Sequence, residues 1–380
     1  MGPSSDWGPD RPGAGSLSPA PDRLAGMKAK SPVDRDQLRR LINGYQVTQA
    51  LHVLAVLAIP DQLAGGPRSS AEVALSVNAD EGALYRVLRA VATVGVLKEL
   101  PERRFALTEL GEGLRWGAPG SMAGWAAFVG RPYHQASWAR LIDGVRSGEN
   151  PFQLEFGTDI WTYRREHPEE AVIFNRAMNS LTGSTVEFLV SGYDFSRFHT
   201  VVDVGAGGGA MLAGILQRHP GARGVLFDLP HVVADSRTFV DSAGLASRID
   251  LVGGSFLESV PPGGDAYVLK SVLHNWPDGS AARILDNCRT AMHADATLLV
   301  VERLVAEPNQ GMDVKLMDLN MFVGPGSFER TAEEWQQLLA AAGFGKIRII
   351  PVGGQVVIEA TPTKGPSGSH DSGRDAPMTM

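Results

Sequence analysis

The spacing of apolar residues divides the chain into three stretches with different rhythms. From about Asp34 to Leu57 they recur at helical intervals (Leu38, Leu41, Ile42, Tyr45), which predicts one helix ended by Ile59-Pro60. Ser70 is placed to cap a short helix over 71–77. Asp80 is placed to cap another, with Leu84, Val87, Leu88 and Val91 on its inner face. Two short runs, Gly95–Lys98 and Arg104–Thr108, flank the polar Pro101-Glu102 and predict a β-hairpin. Helices followed by a hairpin form a winged-helix pattern, expected over 34–118. From 119 to 192 the pattern is helical and rich in aromatics: Trp125, Phe128, Trp138, Phe152, Trp161 and Phe174. Such residues either roof a small-molecule cleft or form an interdomain core.

From 193 to 361 the rhythm changes to strands alternating with helices. Strands are expected at 200–204, 224–228, 249–252, 266–271, 296–302, 346–350 and 355–360, with a helix after each of the first five. That alternation predicts an α/β domain with a parallel, doubly wound sheet. Only Pro351 to Gly354 separates the last two strands, so they should pair antiparallel at one edge. The ends, 1–33 and 362–380, are rich in small and polar residues and read as disordered tails.

Composition narrows the function. The net charge of −7 disfavours a general polyanion binder, and the winged helix carries Asp80 and Glu81 beside Arg86 and Arg89, so dimerisation or packing is expected there rather than DNA binding. Cys288, the single cysteine, rules out an internal disulfide and suits a reducing cytosol; its spacing with Ile284, Leu285 and Met292 marks it as core. No apolar run approaches a membrane span.

The candidate chemistry begins at Val201-Val202-Asp203-Val204-Gly205-Ala206-Gly207-Gly208-Gly209, an apolar strand running into alternate glycines and then a helical segment. This is a nucleotide-binding opening. It satisfies a loose dinucleotide fingerprint as well as the Gly-x-Gly-x-Gly form, so a nicotinamide-dependent oxidoreductase and a ligand-sensing winged-helix regulator stay open at this point. Ligands in such sheets bind beyond the carboxyl ends of the strands. Asp228, some twenty residues past the glycines, is placed for a ribose diol, next to Leu229. Ser255 and Phe256 follow the third strand, where an adenine would lie. The fourth strand leads through Lys270 and Ser271 to His274, Asn275 and Trp276, and the fifth ends at Glu302. Neighbouring fourth and fifth strands should bring His274 and Glu302 together. A neutral imidazole can take the proton of an attacking hydroxyl, and a carboxylate on its other nitrogen, for which Glu302 is placed, would fix its tautomer. No second histidine lies at metal-ligand spacing, so no metal site is expected.

Taken together, Val202-Asp203-Val204-Gly205-x-Gly207-x-Gly209, Phe227-Asp228-Leu229-Pro230, Leu269-Lys270-x-Val272-Leu273-His274-Asn275-Trp276-x-Asp278, Phe174-Asn175-Arg176-Ala177-Met178 and Glu329-Arg330-Thr331 resemble the S-adenosylmethionine-dependent O-methyltransferases of the plant caffeate type and their bacterial natural-product relatives. The resemblance runs from the winged helix to Ala360. It implies a seven-stranded Rossmann-like class I methyltransferase sheet behind an N-terminal dimerisation domain, S-adenosyl-L-methionine as cofactor, a small hydroxylated aromatic metabolite as acceptor and a homodimer. It also implies that His274 is the general base, that Glu302 and Glu329 hold it, and that Met178 packs over the acceptor ring. Asn175, Trp276 and Asn320 are expected near the acceptor. The family usually has an aspartate where this chain has Ser255. Some relatives on this scaffold hydroxylate or decarboxylate instead; His274, Glu302 and Glu329 together favour methyl transfer.

Overall fold

A computed structural model describes residues 34–363. Residues 1–33 and 364–380, where the disordered tails are expected, lie outside the described residues. Pro362, assigned to the second tail, instead ends the last strand.

The chain divides after Gly44 into two contact units. In the first, the described part is one helix, Arg35–Ile42, whose N-cap Asp34 accepts the Asp36 and Gln37 N–H groups. The single helix expected over 34–57 is therefore two, because the chain leaves helical geometry at Asn43 and the next helix, Gly44–Val56, starts on a glycine. A glycine inside a helix costs about 1 kcal/mol relative to alanine, so the break falls where continuity is weakest.

The second unit begins within Gly44–Val56 and continues with helices Ile59–Leu63, Ser70–Ser76 and Glu81–Ala92. Ile59-Pro60 ends one helix and starts another: Ala58 turns left-handed and Pro60 sits in the first turn, where its missing N–H costs nothing. Ser69, not Ser70, caps the next helix in a reciprocal capping box with Glu72; Ser70 is buried and donates to Glu81. Strands β1 (Arg68–Ser69), β2 (Leu97–Leu100) and β3 (Arg104–Leu107) form a small sheet in the order β1-β3-β2, so the expected hairpin gains a third strand. Leu54, Ile59, Leu88 and Phe105 fill the core beneath it.

Six helices follow, from Ala123–Val129 to the 25-residue Pro168–Gly192. The first packs tightly on the last: a Cβ at Gly124 would lie 2.5 Å from the Arg176 carbonyl oxygen, so only glycine permits this approach.

The sheet contains β4 (Thr200–Val204), β5 (Arg223–Asp228), β6 (Ile249–Gly253), β7 (Ala266–Lys270), β8 (Thr297–Glu302), β9 (Phe344–Val352) and β10 (Gln355–Pro362). Its order is β6-β5-β4-β7-β8-β10-β9, and β10 runs antiparallel to both its neighbours. Alternate residues face opposite cores. Val201, Val268 and Leu299 join one cluster; Val202, Leu269 and Val300 join the other, with Cys288 and Trp335. Burial pushes the Cys288 thiol up to about 12. One expected helix is absent. Residues 254–265 between β6 and β7 form turns, because only a few residues precede Pro261-Pro262-Gly263-Gly264, too short a run to repay helix nucleation. The sheet reverses its winding between β4 and β7, which opens a crevice at their carboxyl ends. Among the described residues no helix is long and apolar enough to cross a membrane.

Candidate active site

The glycine turn is built from backbone. Gly205, Gly207 and Gly209 all have left-handed φ (75°, 55° and 82°), which side-chain-bearing residues resist. Gly205 and Ala206 donate their N–H groups to the Phe227 carbonyl, tying the turn to β5. A Cβ at Gly205 would come within 2.8 Å of Val272 Cγ2 and 3.3 Å of Phe256 Cε1, whereas one at Gly207 would meet open space. Asp228 completes the turn: Oδ2 accepts the Gly207 N–H at 2.8 Å and Oδ1 accepts the Leu229 N–H at 2.7 Å. Its side chain does not cap the helix Pro230–Ser242; the N-cap there is the exposed Leu229, which makes no side-chain cap. Burial raises the Asp228 carboxyl above the usual carboxylate range, and the two N–H donors offset part of that.

Asp203 lies just before the turn, 2% exposed, with Oδ2 lacking any hydrogen-bond partner. Burial lifts its carboxyl to about 7; Lys270 pulls the other way and Asp228 adds repulsion. A buried carboxylate oxygen without a donor beside an open glycine turn is what an ammonium- and hydroxyl-rich ligand would satisfy. The residues therefore fit an adenosyl amino-acid cofactor. Ser255 Oγ accepts the Leu257 N–H at 3.3 Å, and the half-buried Phe256 meets Trp276 edge-on at 5.9 Å. Two residues not expected from the sequence reach this turn. Ser236 donates to the Gly207 carbonyl, and the Asn179 amide stands 3.1 Å from where a Cβ on Gly208 would be.

The second cluster follows β7. Lys270 ends the strand, and burial lowers its ammonium below the usual range against the pull of Glu302 and Asp203. Ser271 is left-handed at φ 54°, and a single 3-10 turn, Leu273–Asn275, carries His274. This turn is held by the segment 327–330. Arg330, 1% exposed, donates to the Leu273 and Trp276 carbonyls and to Asp278, while Ser327 Oγ donates to the His274 carbonyl. His274 Nδ1 lies 2.8 Å from Glu329 Oε1 and 3.7 Å from Glu302 Oε2. Glu302 also accepts the His274 N–H at 3.4 Å. The carboxylate on the second ring nitrogen is therefore Glu329 rather than Glu302, which stands behind it. Glu329 is fixed in turn by donating its N–H to Asp318 at 2.8 Å. Burial alone would lower the His274 imidazole; Glu302 and Glu329 outweigh it and raise it above its ordinary value. Burial also raises the Glu302 carboxyl, against the pull of His274. The same three residues place ligand atoms within 4.8 Å of one another, a set that sequence spacing did not reveal.

The third group is aromatic. Trp276 stacks on Trp161 (6.1 Å, 18°), Trp161 meets Phe174, and Met178 packs in the same cluster. Asn320 is half-buried with its amide 3.9 Å from Met317 Sδ, while Asn175 is exposed. The expected acceptor residues thus separate: Trp276 touches the Met178 cluster through Trp161, and Asn175 is exposed.

Residues 138–345 match the family of the O-methyltransferase domain, and residues 39–114 match the O-methyltransferase dimerisation domain. The chain belongs to this family. It is 41% identical over 326 residues to the phenazine O-methyltransferase PhzM of Lysobacter antibioticus, covering 86% of this chain and 95% of that protein. Two solved relatives carry ligands. CalO1, a methyltransferase of calicheamicin biosynthesis in an S-adenosylhomocysteine-bound form, aligns with a TM-score of 0.76 at 32% identity, over 88% of this chain and 100% of that one. NcsB1 of neocarzinostatin biosynthesis, in complex with S-adenosylmethionine and 2-hydroxy-5-methyl naphthoic acid, aligns with a TM-score of 0.71 at 30% identity, over 83% and 95%. The protein is an O-methyltransferase with the class I sheet and an N-terminal dimerisation domain, and no nicotinamide or regulator reading is needed.

Proposed function

We propose that this enzyme transfers the methyl group of S-adenosylmethionine to a phenolic hydroxyl of a small aromatic natural product, with His274 as general base. The observation that carries the reading is the 2.8 Å contact of His274 Nδ1 with Glu329. In the neutral ring it puts the proton on Nδ1 and leaves the lone pair on Nε2 for the acceptor. A phenol has a pKa of about 10 and an imidazole about 6.5, so proton transfer is uphill unless the imidazolium is stabilised. Glu302 and Glu329 provide that stabilisation, and the raised His274 pKa is its signature.

S-adenosylmethionine, when bound, supplies a methyl group on a cationic sulfur that leaves as a neutral thioether. Asp203 and Gly205 to Gly209 would hold its amino-acid end, Asp228 its ribose, and Leu229, Ser255 and Phe256 would border the adenine. Lys270 and Ser271 would line the pocket beside His274. Trp276 and Met178 would position the acceptor ring, with alignment of oxygen, carbon and sulfur as the dominant contribution. Residues 34–118 would pair two copies, 119–192 would roof the cleft and 193–361 would bind the cofactor, in the cytosol and without nucleic acid or membrane as partner.

The test is calorimetric titration with S-adenosylhomocysteine beside NADH, followed by incubation with methyl-labelled S-adenosylmethionine and a panel of hydroxylated mono-, bi- and tricyclic aromatics. Binding of the first ligand alone, and label on an oxygen of at least one acceptor, is the expected result. Binding of NADH, or no labelled product across the panel, would refute it.

A further inference from the structure

The aromatic roof contains a cation that the chemistry above does not use. Arg164, on the helix Ile160–Glu166, is 6% exposed, and its Nε has no hydrogen-bond partner. Among the described residues no carboxylate lies within ion-pair distance of it. The one buried acid in electrostatic reach, Glu170, is already taken by Arg131, whose Nε donates to both of its oxygens at 3.1 and 2.9 Å. His134 adds no negative charge and remains neutral, because burial and Arg164 hold it down at about 4. The buried Tyr133 hydroxyl stands beside Arg164, close enough to share a hydrogen bond with it, and has no other partner among the described residues. Two arginines therefore share one acid, and Arg164 keeps an unpartnered Nε with only a neutral hydroxyl beside it.

Packing does not explain this arrangement. The guanidinium carbon lies 3.4 Å from the Phe174 ring centroid and 5.4 Å from that of Trp161. Such contacts offset only part of what desolvating a guanidinium costs. They do place the charge beside the acceptor's surroundings. Trp161 stacks on Trp276, two residues past His274, and Phe174 shares a cluster with Met178. A carboxylate supplies what is lacking: two coplanar oxygens for the guanidinium fork, with room for a third donor from tyrosine.

We propose that Arg164 and the Tyr133 hydroxyl form an anion subsite that selects acceptors carrying a carboxylate on the aromatic system. This rests on the acceptor reading of the cleft given above. The charge is unpaired in the free enzyme because its partner arrives with the substrate.

The experiment compares binding of 3-hydroxy-2-naphthoate and its carboxamide, with matching acid and amide pairs of one and three rings, to protein saturated with S-adenosylhomocysteine. Wild type should favour the acids by about 10-fold or more. Arg164→Met should bring that ratio close to 1 and raise the melting temperature of the ligand-free protein, since an unpaired buried charge is replaced by a thioether of similar length. Tyr133→Phe, which keeps the ring stack on Tyr163, should reduce the ratio a few-fold and serves as the readout should the first variant not fold. Equal binding of acid and amide by a wild-type enzyme that methylates panel members would overturn the subsite while leaving the acceptor reading intact. A preference that survives Arg164→Met would also overturn it. Absence of methyl transfer to every panel member would remove the acceptor reading and the subsite together.

Discussion

The glycine turn and the aromatic cluster, the two halves of the proposed site, are held by different means. The turn is backbone: three left-handed glycines, two N–H groups on the Phe227 carbonyl and two more on Asp228. The cluster is side chains, with rings from several helices stacked around Met178 and Arg164. A backbone turn binds what every member of a family must bind, because its geometry survives wide substitution elsewhere. A side-chain cluster changes with each residue, which suits the acceptor-selecting role proposed for it. His274 stands where the two meet, with Trp276 reaching the cluster and the strand ends reaching the turn.

Substitutions can separate these roles. The largest effect is expected at the junction. His274→Ala should bind S-adenosylhomocysteine as tightly as wild type and lose on the order of 10²–10⁴-fold in turnover, the usual range for a general base. Calorimetry and methyl transfer measured on the same preparation check both halves of that statement. On the turn side, Asp228→Ala removes an acceptor of two backbone N–H groups and the proposed partner of the ribose. Charged hydrogen bonds contribute about 1.5–3 kcal/mol, so S-adenosylhomocysteine affinity should fall roughly 10- to 100-fold. A smaller effect separates steric from conformational cost within the turn. Gly205→Ala meets Val272 at 2.8 Å as well as left-handed strain and should cost about 2–4 kcal/mol; Gly207→Ala meets only the strain and should cost about 1–2 kcal/mol. Equal melting temperatures for the two variants would mean that the turn relaxes and that its shape is not set by Val272.

The same division explains what was legible in the sequence. The strands and the glycine turn were readable because short continuous apolar runs, buried on both faces, and glycine spacing are local signals, and the terminal hairpin followed from a four-residue gap. The break at Asn43 and the missing helix after β6 were not anticipated. A weak helix position and a proline pair act against an apolar rhythm that otherwise continues. At the candidate base, parallel neighbouring strands made the approach of Glu302 to His274 foreseeable. Glu329 was anticipated only through the family resemblance; its place as the closer partner, Asp318 behind it, and Arg330 and Ser327 pinning the 3-10 turn depend on chain that returns well beyond the end of β8 at Glu302, which no local periodicity encodes. Arg164 gave no signal at all: in the sequence it is one of two adjacent arginines in a polar helical segment, and only packing shows that it is buried while Arg165 is exposed.

The most direct test of the account is the pH dependence of a single methyl-transfer turnover, in wild type and in Glu329→Gln, using whichever panel acceptor is methylated fastest. A general base acts when deprotonated, so the rate should rise with pH through the His274 pKa, which in wild type lies above its ordinary value because Glu302 and Glu329 outweigh burial. Glu329→Gln keeps an acceptor near Nδ1 but removes a negative charge. The limb should move to lower pH by on the order of one unit, with a lower plateau as the imidazolium loses support. Limbs at the same pH in both proteins, or a wild-type rate indifferent to pH across this range, would contradict the assignment of proton removal to His274.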